Sequence, residues 1–132
     1  MTWRRVGTPT RATLMNQPAN DTHADARADA IKRLNDALRI HGTGGRTMLT
    51  AGVIYLPDDQ RVAALEAVST FTAFDSRNDP YGEHDCAIVQ VGAIQVMWKI
   101  DYYDLEMTSH SPDPANPDLT SRVLTIMLPE EY

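Results

Sequence analysis

The residue types best suited to chemistry gather in two short stretches, Gly82-Glu83-His84-Asp85 and Trp98-Lys99-Ile100-Asp101-Tyr102-Tyr103-Asp104. A histidine titrates near neutrality, and a neighbouring carboxylate orients it or raises its pKa, which is the equipment of a general base. In an extended segment residues 83 and 85 project opposite to 84, so the three converge only across a bend. A second element must then complete the site, with Asp101, Tyr103 or Asp104 as candidates. On a hydrolase reading His84 is the base, Asp85 or Asp101 orients it, and Arg46 or Lys99 steadies an anionic transition state. The competing reading makes His84 a loop histidine that bonds backbone at the entrance of a hairpin.

Other chemistries find less support. His23, His41, His84 and His110 show no close pairing, and neither His-x-x-x-His nor Cys-x-x-Cys occurs, so no metal is expected. Asp75, Asp79, Glu83 and Asp85 lack the glycine and glutamate positions of an EF-hand loop. Thr43-Gly44-Gly45-Arg46 follows a helix and has no Gly-Lys-Ser/Thr, so it ends a helix and holds no phosphate. The single Cys86 lies in an apolar run and reads as a buried structural thiol. No cofactor is expected.

The elements that must position these groups follow from periodicity. Residues 1–24 mix Thr, Pro, Asn and Arg without period and read as a disordered basic tail, and residues 25–132 as a single domain. From Asp25, Ala30, Ile31, Leu34 and Leu38 recur at helical spacing, with Thr22 or Asp25 as cap and Gly42, Gly44 and Gly45 as the stop. Arg46 to Tyr55 reads as a strand weakened by Gly52. Pro57-Asp58-Asp59 opens a second helix with Val62, Leu65, Val68 and Ser69 as its buried stripe, and Phe71 and Phe74 anchor its end.

Cys86–Val91 and Ile94–Asp101 alternate with period two about Gly92, which predicts a hairpin. Ile94, Val96, Trp98 and Ile100 share one face, and Gln95, Met97, Lys99 and Asp101 the other. Residues 102–109 continue this strand or form another. Asn116-Pro117-Asp118 is a helix start, with Leu119, Val123, Ile126 and Met127 on one helix to about Leu128, although Val123–Leu128 also reads as a strand. The sum is an α+β fold, a small antiparallel sheet of three to four strands packed against two to three helices.

Charge separates along the chain. Residues 1–50 hold eight basic and four acidic groups, a balance of +4, and residues 51–132 hold four basic and fourteen acidic, a balance of −10. An acidic body repels nucleic acid and attracts basic surfaces, so direct nucleic-acid binding by the folded part is not expected. No apolar run approaches the ~20 residues of a membrane helix. The lone cysteine and the lack of an apolar segment behind Arg4 and Arg5 fit the cytoplasm, with no secretory signal expected.

Several blocks carry a resemblance: Thr43-Gly44-Gly45-Arg46, Leu49-Thr50-Ala51-Gly52-Val53, Phe74-Asp75 through Asn78-Asp79-Pro80, Gly82-Glu83-His84-Asp85, Trp98 to Asp104, Ser111-Pro112-Asp113-Pro114 and Arg122 to Leu128. Over roughly residues 27–132 the chain resembles a small bacterial domain-of-unknown-function family. The resemblance implies no activity and no catalytic residue. It implies a context, accessory proteins of plasmids and integrated mobile elements that stand beside anti-restriction genes.

Two functions are therefore expected in competition. In the first, a compact acidic inhibitor occupies the nucleic-acid groove of a host defence nuclease or CRISPR complex. Asp75, Asp79, Glu83, Asp85, Asp101, Asp104 and Glu106 stand in for phosphates, and Tyr103 supplies contact area. In the second, a small hydrolase uses His84. The charge balance and the absence of a nucleophile or metal motif favour the first. A housekeeping scaffold or toxin partner is a third reading.

Overall fold

In the computed structural model residues 21–132 are described; the expected tail lies outside them up to residue 20. Helix α1 runs over Asp21–His41, so the last four residues of that tail are helical, and the helix already includes Thr22 and Asp25. It buries Ile31, Asn35 and Leu38 on one stripe. Gly42 ends it in the left-handed region (φ 73°), returning its N–H to Leu38 O at 2.9 Å. This is the helix stop that glycine permits.

Strand β1 covers only Arg46–Leu49, and the chain then turns into a short helix α2, Ala51–Ile54. The strand expected to reach Tyr55 is cut by a distant side chain. Glu131 accepts from Thr50 Oγ1 at 2.6 Å and from Gly52 N at 2.9 Å, providing acceptors for the start of α2. A Cβ on Gly52 would lie 2.5 Å from Glu131 Oε1, so a larger residue there would push the Glu131 carboxylate out of its bonds to α2.

Helix α3, Asp58–Thr70, begins after Pro57 with Asp58 and Asp59 in its first turn. Its inward stripe is Ala64 and Val68, with Leu65 half-buried, while Val62 faces outward. The stripe is shifted from the expected one because Arg61 takes the inner position at the α2–α3 turn, donating to Ile54 O and Leu56 O at 3.0 Å each. Phe71 and Phe74 do anchor the end of α3, edge-on to Trp98.

The hairpin forms as expected from β2, Cys86–Val91, and β3, Ile94–Tyr103, paired residue for residue around Gly92-Ala93. After an excursion that includes a 3-10 turn at Pro117–Leu119, the chain enters β4, Ser121–Met127, and closes with a second 3-10 turn at Pro129–Glu131. Asn116 caps the first of these turns through Asp118 N, as its sequence suggested, but no helix follows. Thr120 Oγ1 is drawn to Asp113 O and Asn116 O, and the β-branched Val123, Thr125 and Ile126 continue as a strand.

Sheet order is β1-β4-β3-β2, with β1 parallel to β4 and the other pairs antiparallel. The α+β class holds, and the sheet is mixed where an all-antiparallel one was expected. Val96, Trp98, Ile100 and Tyr102 of β3 form the centre of the core with Leu124, Ile126, Ile31, Leu38, Val53, Ala64 and Val68. Among the described residues no helix is long and apolar enough to cross a membrane.

Candidate functional site

The segment between α3 and β2 folds on its own polar groups. Asp75 Oδ1 accepts from Arg77 N and Asn78 N, and Asn78 Oδ1 accepts from Asp75 N. These backbone N–H bonds hold the Asp75 carboxyl below its ordinary pKa. Asp79 Oδ1 then accepts from both Glu83 N and His84 N at 3.1 Å. Burial raises the Asp79 pKa, against the opposing pull of those bonds.

His84 sits at the bend this loop creates. Its backbone is left-handed (φ 54°), a region that few non-glycine residues enter, though histidine does so more than most. The bend parts the His84 side chain from that of Glu83. The His84 ring stacks on Phe74 at 3.7 Å between centroids and 5° between planes. Nδ1 meets Asp36 of α1 at 2.9 Å, and Nε2 faces Asp79 Oδ2 at 3.7 Å. Asp36 also takes Arg39 NH2 at 3.1 Å, while Arg39 lies over the Phe74 and Trp98 rings and donates to Val68 O and Phe71 O.

Glu83 points instead into the core, where Tyr102 Oη donates to its Oε1 at 3.0 Å. Asn35 donates through Nδ2 to Tyr102 Oη at 2.7 Å and to Glu83 O at 3.0 Å, and its Oδ1 accepts from Arg122 Nε at 2.7 Å. Arg122 also donates to Pro114 O and stacks over the Tyr102 ring. Glu83, Tyr102, Asn35 and Arg122 are all buried, which makes this a satisfied polar core. Asp85 is buried as well, and its carbonyl extends the hairpin ladder by accepting from Ile100 N at 2.7 Å.

The carboxylate that orients His84 is thus Asp36, from a helix 48 residues away, and not Asp85 or Asp101. Asp101 pairs with Lys99 two residues back on the same strand. Arg46 and Asp101 both align with Val123 of β4, on the sheet face opposite the Trp98 side. Neither they nor Lys99 joins His84. Of the groups expected to form an acidic surface, Asp79, Glu83 and Asp85 are buried and offer nothing to a partner. Asp75 and Asp104 organise turns, the latter by accepting from Thr108 N and Ser109 N, which lowers its pKa. Glu106 is exposed and Tyr103 half-buried.

Asn35, Asp36, Arg39 and Arg122 were missing from the sequence-derived site. One signal was available: Asn35 falls between Ile31 and Leu38 on the apolar stripe of α1, where a polar residue demands partners. Chemically, the His84 cluster is an imidazole held at Nδ1 by the Asp36 carboxylate, with Nε2 facing a second carboxylate at 3.7 Å. Its second nitrogen faces a carboxylate, not a hydroxyl or thiol. Among the described residues no group of three or more His, Cys, Asp or Glu side chains is arranged to hold a metal ion.

Residues 49–131 match the family described as protein of unknown function (DUF3768), and the chain belongs to that family. The match takes in α2, α3, the hairpin, β4 and the Glu131 cap, whereas Asn35, Asp36 and Arg39 precede it. No curated protein and no solved structure matches the chain.

Proposed function

We propose that this protein works by binding, with an acidic surface, the basic nucleic-acid-binding surface of another protein, and that it performs no chemistry of its own. One observation carries this reading: in residues 51–132 three of the four basic groups are withdrawn from the surface while most of the carboxylates stay on it. Of the four basic side chains there, only Arg77 is largely exposed (91%). Arg61 and Lys99 are about 30% exposed and ion-paired, and Arg122 is buried. Asp58, Asp59, Glu66, Glu106, Asp118 and Glu130 all face solvent. Such a surface attracts lysine and arginine side chains that otherwise neutralise phosphates.

The ionisable groups nearest the invariant needs of catalysis are spent inside the fold, on the Asp79 loop, the Asp36–His84 contact and the Glu83–Tyr102 core. The mobile-element context implied by the sequence blocks points to a partner in host defence, a restriction or CRISPR complex, met in the cytoplasm. The protein acts there as an inhibitor that occupies the nucleic-acid groove.

A second reading rests on the 2.9 Å contact of His84 with Asp36, which would make His84 a general base for a small hydrolase. Two variants separate the readings in a binding assay with a purified restriction or CRISPR complex. Neutralising four of the exposed carboxylates that make no hydrogen bond or ion pair among the described residues (Glu66→Gln, Glu106→Gln, Asp118→Asn, Glu130→Gln) is expected to weaken binding by about tenfold or more, ~1.4 kcal/mol. His84→Asn, which tolerates the left-handed backbone, is expected to bind as the wild type does. Undiminished binding by the neutralised variant would remove the acidic-surface reading.

A further inference from the structure

Three large apolar side chains stand out at the corner where α2 meets α3. Tyr55 is 84% exposed, Val62 61% and Ile54 50%. Such residues mean little when scattered singly, but these share one fixed frame. Tyr55 N donates to Ala51 O at 2.9 Å and Leu56 N to Val53 O at 3.2 Å, which fixes the backbone on both sides of the tyrosine ring. Arg61 ties that turn to the first turn of α3, donating to Ile54 O, Leu56 O and the Asp58 carboxylate. Along α3, Asp58 and Asp59 precede Val62 by four and three residues and Glu66 follows it by four, so three carboxylates border it on the helix surface. All three are exposed, and among the described residues no ion pair engages Asp59 or Glu66. The corner is apolar at its centre and acidic at its rim.

We propose that this corner is the docking site for the basic partner, and that the element it takes is a basic amphipathic helix. The site rests on the acidic-surface reading and narrows it to one place. Its occupant must offer apolar side chains to Tyr55 and Val62 and, within about one helical turn (~5.4 Å), cations to Asp58, Asp59 and Glu66. One face of an amphipathic helix supplies that interleaving, with apolar residues three and four apart and Lys or Arg at their flanks. The carboxylate rim repels nucleic acid, an anionic lipid surface and a second copy of this chain at net charge −6. Arginine also stacks on a tyrosine face, so the Tyr55 ring receives a cation as readily as an apolar neighbour. Because the turn is bonded on both sides of Tyr55, little backbone ordering is lost when the ring is covered.

Two synthetic helical peptides serve as probes, one of Leu, Ala and Arg with a leucine stripe, the other with serine in place of each leucine. Amide NMR shifts of the full chain are followed as each is added at low and at moderate salt. The leucine peptide is expected to bind with its shifts concentrated in residues 54–66, and the serine peptide to bind about tenfold more weakly. Tyr55→Ala and Val62→Ser are each expected to weaken the leucine peptide several-fold at both salt concentrations. Their melting temperatures stay near that of the wild type, because both side chains are exposed. Leu105→Ser, at an equally exposed apolar residue outside the corner, is expected to leave binding unchanged. Shifts centred instead on Glu106, Asp118 and Glu130, equal binding of the two peptides, or binding indifferent to Tyr55→Ala and Val62→Ser would overturn the docking site and leave the acidic-surface reading standing. No binding of either peptide at low salt would remove both.

Discussion

Asn35 is a small residue with a large responsibility, since its one amide holds Arg122, Tyr102 and the Glu83 carbonyl together in the core. Asn35→Ala leaves a buried guanidinium and a buried hydroxyl short of partners, and is expected to cost about 3–5 kcal/mol in urea unfolding. Asp79 makes a subtler case. Its pKa lies above the ordinary 3.8, so between 3.8 and the raised value the folded state holds more protons than the unfolded one, and stability falls as pH rises. Asp79→Asn keeps an oxygen for Glu83 N and His84 N but does not titrate. Thermal melts are expected to show the Asn variant gaining on the wild type as pH climbs through that window, whereas Asp79→Ala, which leaves both N–H groups unmet, loses about 1–3 kcal/mol. Little of this was legible beforehand. Glu83-His84-Asp85 stood out in the sequence, yet its partners Asn35 and Asp36 lie 48 residues away, and no local pattern announces a contact of that range.

Elements with local signals were read correctly, and those governed by distant contacts were not. The Gly42 stop, the Pro57 start of α3 and the hairpin about Gly92 each depend on residues within a few positions. The break after Leu49 depends on Glu131, at the other end of the chain, and the parallel β1–β4 pair depends on it being close by. Residues 121–127 carry apolar positions that suit either period, and burial on both sides of β4, at Val123 and Leu124 alike, decided for the strand. Glu131→Gln and Gly52→Ala are each expected to lower the melting temperature. Together they should cost less than the sum, because both disturb the same Gly52–Glu131 contact between α2 and the C-terminal turn. The three bonds to the Glu131 carboxylate lower its pKa below the ordinary 4.5, so its contribution is present above that pH and is lost as pH falls through the folded value.

At the scale of the whole molecule, the division between buried and exposed charge matters more than the net figure of −6. The carboxylates that looked most like a site, Asp79, Glu83 and Asp85, serve the fold, and those that remain outside are scattered over α3, the 104–109 turn and the two 3-10 turns. A surface of that kind binds through long-range attraction, so salt weakens it where it would spare an apolar interface. The most direct measurement is a competition experiment: labelled duplex DNA bound to a purified restriction or CRISPR complex, challenged with this protein across a salt series. The acidic-inhibitor account predicts displacement of the DNA at low salt, a steep loss of potency as salt rises, and a matching loss on neutralising Glu66, Glu106, Asp118 and Glu130. DNA that stays bound at every salt concentration, or displacement indifferent to salt and to those substitutions, would contradict it.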